Sequence, residues 1–272
     1  MGGDNAPDAN LLGAFLAYKE LNSNEKIVLV GDEDLAHRWF SSNKIDATLF
    51  EYIHSDQVIL MNEHATKAIR KKPNNSISVG FKALKNNEID VFSSSGNSGA
   101  MLVGSMFSIG PIKGVIRPGI TSILPKENGG VGLILDVGVN ADCKPDVLFQ
   151  FAILGSLFAE NVYNIHSPKV GLLNIGEEKG KGNLLTQATY QLLEDNEDIN
   201  FIGNVEGRDL FTEKADIIVC DGFTGNVVLK LAESFYSLIK KKNFSDPYFD
   251  RFNYEIYGLS LIHISEPTRH HV

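Results

Sequence analysis

The stretch Ile217-Ile218-Val219-Cys220-Asp221-Gly222-Phe223-Thr224-Gly225-Asn226 decides the fold. Three apolar residues run into a glycine-rich turn, and a helix-like segment follows from Val227 to Lys240. A strand that breaks into such a turn and then a helix is a standard anion-binding place: the turn exposes backbone N–H groups, and the helix N-terminus adds partial positive charge. A second turn of this kind, Ser93-Ser94-Ser95-Gly96-Asn97-Ser98-Gly99-Ala100, follows Ile89-Asp90-Val91-Phe92. The rest of the chain reads as a scaffold that brings the two turns together.

Working outward, apolar runs of strand length alternate with helix-period segments. Helices are expected over residues 7–20, 34–41, 65–72, 77–86, 99–109, 146–161 and 184–195. Strands are expected over 27–31, 47–53, 89–92, 131–136, 170–175, 200–202 and 217–219. This alternation implies βαβ units and a mainly parallel sheet. At least five of these strands end in turns rich in Gly, Asn, Asp or Ser. Ligands of open α/β sheets bind beyond the carboxyl ends of the strands, so the pattern points to an enzyme or a small-molecule binder.

Composition narrows the class. The chain has 272 residues, 43% hydrophobic and 22% charged, which suits an ordinary globular protein with a sizeable core. A net charge of −9 argues against nucleic-acid binding, which needs a basic footprint. Cys143 and Cys220 fit no metal-ligand spacing and read as thiols in a reducing compartment. No apolar run approaches the ~18 residues of a membrane span, and no signal peptide is evident. The chain opens on Met1-Gly2-Gly3-Asp4 with no strand before that turn. Residues 259–272 continue no upstream pattern, resemble a translated sequencing adapter and are set aside.

No turn completes a G-x-G-x-x-G or Walker A motif, and no G-x-S-x-G elbow is present. Ser95-Gly96-Asn97-Ser98-Gly99 offers small side chains, hydroxyls and N–H groups for a phosphate or an oxyanion; helix capping by the serines is the plainer alternative. Asp136, Asn140 and Asp142 suit a divalent ion, substrate orientation or simple turn geometry. Lys179 and Lys181 flank glycines and offer point charges; Arg117, before Pro118 in an apolar stretch, needs a partner. Lys240-Lys241-Lys242 closes an amphipathic segment carrying Leu231, Phe235, Leu238 and Ile239, followed by Phe244, Tyr248, Phe249, Phe252 and Tyr254. That segment suits a membrane surface, an acidic partner or a dimer contact.

Several motifs then occur together and in order: Met1-Gly2-Gly3-Asp4 with Pro7, Ser95 to Ala100, Arg117-Pro118, Asp136-Val137-Gly138-Val139-Asn140-Ala141-Asp142, Gln150-Phe151-Ala152, Leu172 to Glu178 with Lys181-Gly182, Gly203-Asn204-Val205-Glu206-Gly207, and Cys220 to Val227. Over residues 1–258 the chain resembles the bacterial acyl-ACP:phosphate acyltransferases of phospholipid synthesis, the PlsX family. Ser98 and Val139 stand where Thr and Ala are usual in that family. The resemblance implies a three-layer α/β/α sandwich like those of phosphotransacetylases and isocitrate dehydrogenase. It implies a homodimer working without metal or cofactor, cytoplasmic and peripherally membrane-associated. The implied reaction takes a fatty acyl group from acyl carrier protein to inorganic phosphate. The acyl phosphate would then pass to glycerol 3-phosphate through a downstream membrane acyltransferase. Against the family pattern, an N-terminal strand and a C-terminal portion are expected to be missing.

On chemistry and position together, Asp4, Asn97, Asn140, Asp221 and Asn226 are expected to orient the reacting groups. Gly3, Ser95, Gly96, Ser98, Gly99, Thr224 and Gly225 are expected to hold phosphate or oxyanion, with charge from Arg117 and Lys181. The acidic carrier protein needs a basic docking face, for which Arg70, Lys71, Lys72 and Lys240, Lys241, Lys242 are the candidates. Alternatives are a CoA-dependent phosphate acetyltransferase, a nicotinamide-dependent dehydrogenase of the same fold, and a catalytically incompetent fragment that only binds.

Overall fold

A computed structural model describes residues 2–241. The chain forms two compact units that part between Gly110 and Pro111.

The first unit opens with α1 (Asp8–Tyr18), β1 (Val28–Gly31), α2 (Glu33–Ser42) and β2 (Glu51–His54), and continues with α3 (Ala65–Lys71), α4 (Ser76–Lys85) and α5 (Ser98–Ser108). β1 and β2 pair in parallel. Leu11, Ala36, Phe40 and Phe50 bury one side, where the Phe40 and Phe50 rings stack at 4.8 Å. Ile59, Ala68, Ile77, Phe81 and Ala100 form a second cluster that binds α3, α4 and α5 together.

Two strand expectations fail here. Residues 47–49 wind into a 3-10 turn, because the Asp46 carboxylate accepts from the Thr48 N–H at 2.9 Å and its hydroxyl at 2.7 Å. Such local bonds outcompete a strand ladder, so β2 starts only at Glu51. Residues 89–92 pair with no strand among the described residues. Val91 is 79% exposed, while Phe92 stands edge-on to Phe81 and fills the space over Gly80, where a Cβ would lie 2.2 Å from its ring. A short run with one half-buried ring and no strand beside it packs without forming a strand.

The second unit carries β3 (Thr121–Pro125), β4 (Val131–Leu135), α6 (Pro145–Tyr163), β5 (Val170–Leu173), α7 (Leu184–Glu194), β6 (Phe201–Val205), β7 (Ile217–Val219) and α8 (Gly222–Lys241). Its sheet runs β3-β4-β7-β5-β6, antiparallel only between β3 and β4. Successive strand residues face opposite layers. Leu133, Leu135, Ile217 and Val219 pack with Val147, Leu148 and Phe151 of α6, whereas Ile134, Ile218 and Leu173 pack with Leu229 of α8 and with Leu210 from the loop between β6 and β7. The result is the expected α/β/α sandwich with a mainly parallel sheet. β6 reaches beyond the expected 200–202, to Val205, through Gly203 at φ +95°.

The opening stretch also reads differently in three dimensions. The helix begins at Gly222, five residues before the expected Val227, so the apparent loop is the first turn of α8. Asp221 makes this possible: its carboxylate accepts from the Thr224 N–H at 2.8 Å and the Thr224 hydroxyl at 2.9 Å, the bonds of an N-cap.

Candidate active site

In the second unit β4, β7, β5 and β6 are parallel, so their carboxyl ends share one edge of the sheet. The loops at 136–144, 174–183, 206–209 and the start of α8 gather there. Antiparallel β3 begins at the same edge, which brings Arg117 to it.

Asp136, fully buried, is the hub of that edge. Its Oδ1 accepts from the Ile120 N–H at 2.8 Å, and its Oδ2 from the Asn140 N–H at 2.6 Å and the Asn140 amide at 2.8 Å. With donors around both oxygens, the carboxylate is a brace for loops, not the open ligand a metal reading needs. Among the described residues no cluster of three His, Cys, Asp or Glu side chains is suited to a metal ion. The second amide hydrogen of Asn140 goes to the Pro118 carbonyl at 2.9 Å. Asn140 therefore joins Asp136 to the segment entering β3.

The first turn of α8 closes onto this brace. The Gly138 N–H donates to the Gly222 carbonyl and the Gly222 N–H to the Asn140 carbonyl, both at 2.8 Å. A Cβ on Gly222 would meet Asp136 Oδ2 at 2.8 Å, and one on Gly225 the Asp136 carbonyl oxygen at 2.0 Å. The two glycines are there for backbone approach. The Thr224 hydroxyl and N–H are both given to Asp221. Asn226 is exposed and borders Gly138, whose added Cβ would lie 3.3 Å from its Oδ1. Arg117 is exposed, with Nη1 donating to the Asp142 carbonyl at 2.9 Å.

Charge and burial set the thiols beside this brace. Burial, then the Asp136 and Asp221 carboxylates, pushes Cys143 up to about 11. Cys220 is held well above the ordinary thiol range by burial and the same two acids. Neither is a thiolate near neutrality, so neither is an activated nucleophile.

Past β5, Lys181 stands exposed on its loop, while Lys179 is paired with Glu194. Lys214 draws the Glu177 carboxyl below its usual range through a 2.8 Å ion pair, and also holds Asp209 at 2.8 Å.

In the first unit the serine-rich turn heads α5. The helix cap is Asn97, not a serine: its Oδ1 accepts from the Ala100 N–H at 2.9 Å. The buried Asn97 amide points at the carbonyls of Leu60, Met61 and Glu63, each 3.1 Å away. Ser95 donates its hydroxyl to the Gly2 carbonyl at 3.0 Å and accepts from the Asn10 amide at 2.7 Å. Gly3 sits at φ +119° against Ser95, whose carbonyl oxygen a Cβ would meet at 2.8 Å. Gly96 donates to the Ser94 hydroxyl at 3.1 Å. The N–H groups of Ser98 and Gly99, in the first turn of α5, meet no protein acceptor among the described residues. Asp4 is exposed.

Of the proposed docking lysines, Lys72 is engaged: it pairs with Glu63 at 2.6 Å and donates to the Val58 carbonyl at 2.7 Å. Arg70 and Lys71 are exposed in the last turn of α3, and Lys241 is exposed at the end of α8. The Lys240 side chain, Lys242, the aromatic segment 244–254 and the tail 259–272 lie outside the described residues. Along α8, Phe223, Val227, Leu231, Phe235 and Leu238 form an exposed apolar row. No helix among the described residues is long and apolar enough to cross a membrane.

The sequence offered no role for Asn10 or Asn204, and it offered Asp136 as a ligand or turn residue, not as the buried brace it is. The available signal at Asp136 was an acid directly after a five-residue apolar strand, where buried carboxylates are otherwise rare.

A sandwich with polar loops and helix starts at the strand ends defines an open α/β/α fold of the kind that binds its ligand at the carboxyl edge of the sheet. The EutD phosphotransacetylase from Staphylococcus aureus shares the fold at a TM-score of 0.60 and 15% identity, over 84% of this chain and 79% of that one. A family profile described as "Fatty acid synthesis protein" matches residues 1–243. The phosphate acyltransferase of Dictyoglomus thermophilum is 46% identical over 86% of this chain and 69% of its own length. That of Acetivibrio thermocellus is 47% identical over 88% of this chain and 71% of its own. The chain belongs to the phosphate acyltransferase (PlsX) family of acyltransferase enzymes.

Proposed function

We infer that the protein transfers a fatty acyl group from acyl carrier protein to inorganic phosphate, releasing an acyl phosphate for glycerol 3-phosphate acylation. The observation that carries this reading is the 46% identity to a phosphate acyltransferase over 86% of the chain. In the step itself a phosphate oxygen forms a bond to the thioester carbonyl carbon. The tetrahedral oxyanion collapses, the C–S bond breaks, and the carrier's thiolate leaves and takes up a proton.

Each unit, taken by itself, offers groups whose charge and hydrogen bonding suit that step. The Ser98 and Gly99 N–H groups, at the positive end of α5, suit a phosphate or an oxyanion. Arg117 and Lys181 supply exposed positive charge, and Asn226 an exposed amide. Asn97, Asn140 and Asp221 act through the backbone they hold, and Gly3, Gly96 and Gly225 through close approach. Ser95 and Thr224 hold their turns by hydroxyl bonds, and Asp4 borders the Gly3 turn. Arg70 and Lys71 offer an acidic carrier its docking charge. The apolar row on α8 suits a dimer contact or a peripheral hold on the membrane.

The test is mass spectrometry of the products of long-chain acyl carrier protein, phosphate and the full chain. Acyl phosphate is expected, and none from acetyl-CoA under the same conditions. Acetyl phosphate alone would replace this reading by a CoA-dependent one, and no product would reject catalysis. Reversing Arg70 and Lys71 should raise KM for the acyl carrier; an unchanged KM rejects that face.

A further inference from the structure

The roles of Asn174 and Asn204 are not used by any step above, yet their side chains join β5, β6 and the 178–181 turn in one set of hydrogen bonds. Asn204 lies inside β6, where Asn is disfavoured, and is 3% exposed. A buried amide in a strand needs partners, and it has them. Its Nδ2 donates to the Glu178 carbonyl at 3.0 Å, and its Oδ1 accepts from the Asn174 amide at 3.1 Å. That same Asn174 amide donates to the Lys181 carbonyl at 3.1 Å, and Asn174 Oδ1 accepts from the Ile175 N–H at 2.9 Å. Between these holds, the Lys181 N–H closes the turn onto the Glu178 carbonyl at 3.0 Å. The next residue, Gly182, sits at φ +93°, and a Cβ there would lie 2.3 Å from Asn174 Oδ1.

We propose that Asn204 and Asn174 form an amide clamp across β5 and β6 that fixes both ends of the 178–181 turn and thereby positions the Lys181 ammonium at the carboxyl edge of the sheet. Asn204 is a positioning residue. It touches no substrate, and its effect passes through the turn. The functional half rests on the reading of Lys181 as a phosphate-binding charge, so the test separates the two.

The perturbation is N204D in the full chain. The carboxylate keeps an acceptor for Asn174 but turns an oxygen toward the Glu178 carbonyl, where two acceptors repel. Protonation restores a donor, and a buried carboxyl facing a carbonyl takes up its proton well above the usual carboxylate range. At pH 8, N204D should raise KM for phosphate about tenfold with kcat within about threefold, the scale of one lost buried hydrogen bond. The KM ratio to wild type should fall back toward one as the pH drops to about 6, which a merely weakened fold does not do.

Trypsin supplies a readout free of activity: cleavage after Lys179 and Lys181 should accelerate in N204D at pH 8. N174D, which loses the donors to both Lys181 and Asn204, should behave alike, and stands in if N204D lowers Tm throughout. K181A should raise KM for phosphate without faster cleavage after Lys179. Faster cleavage in N204D, with KM unchanged in both N204D and K181A, supports the clamp and rejects Lys181 as a phosphate ligand. Wild-type cleavage and wild-type KM in N204D at pH 8 overturn the proposal.

Discussion

Replacing Gly225 by Ala separates two opposing forces by sign. Position 225 lies in the first turn of α8, and for an unhindered helix site Ala is better than Gly by about 1 kcal/mol. Propensity alone therefore predicts a more stable protein. The structure predicts the reverse. The new Cβ would stand 2.0 Å from the Asp136 carbonyl oxygen and 3.0 Å from Cys220 Sγ, where ordinary contact begins at 3.4 Å. The nearer obstacle is backbone, so α8 or the brace must move by more than an ångström. Overpacking of this kind costs about 1–3 kcal/mol. The paired bonds joining Gly138, Gly222 and Asn140 stretch with it, at about 1 kcal/mol each. Set against the propensity gain, the net loss is about 2–4 kcal/mol, or roughly 5–15 °C in Tm for a chain of this size. A shift of that size at Asn226 should lower kcat/KM for phosphate-dependent acyl transfer about a hundredfold. Thermal unfolding and steady-state kinetics on G225A test both effects. A Tm equal to or above wild type with kcat/KM within about twofold would refute the packing argument and the role given to α8.

Three further outcomes follow from the same geometry. D136N keeps the side-chain shape but turns one of its donor-facing oxygens into a donor; stability should fall by about 3 kcal/mol, read as a lower urea midpoint, and an unchanged midpoint would deny Asp136 its bracing role. Cys143 holds its proton in the fold up to about 11 but loses it near 9.0 when unfolded, so the contribution is whole below pH 9 and lost as pH rises toward 11. C143A should flatten that alkaline decline in Tm; a parallel decline in wild type and variant would contradict it. For the row on α8, F235S/L238S should lose flotation with anionic liposomes if it holds a membrane; retained flotation with a lower dimer mass would assign the row to a dimer contact instead.

Much of the architecture was open to reading, for a physical reason that also marks where reading stopped. Apolar runs such as 131–135 and 217–219 carry no alternation because both faces of a central strand are buried, and run length between glycine-rich turns identified them. Residues 89–92 look the same locally, but a strand exists only with a partner, and pairing is not written in the run itself. The start of α8 was misplaced because Gly222 and Gly225 resemble turn residues. Their reason is the close approach of the Asp136 loop, 84 positions away from Cys220, and only the fold reveals it. The site was legible as a set of turns but not as a division of labour. Asn97, Asn140 and Thr224 carry groups that could meet a ligand, and each spends them on nearby backbone or side chains. Asp136 and Asn204 build the edge from beneath, and neither is marked in sequence except by a polar residue at the end of, or within, an apolar strand.

If the loops position phosphate for direct attack on the thioester, no acyl group is ever attached to the protein. Mixing the protein with acyl-loaded carrier protein and an isotopically labelled, unacylated carrier in phosphate-free buffer tests this. No acyl group should move to the labelled carrier until phosphate is added, after which exchange proceeds through acyl phosphate. Exchange in the absence of phosphate would point to a covalent acyl-enzyme and rule out direct attack by phosphate.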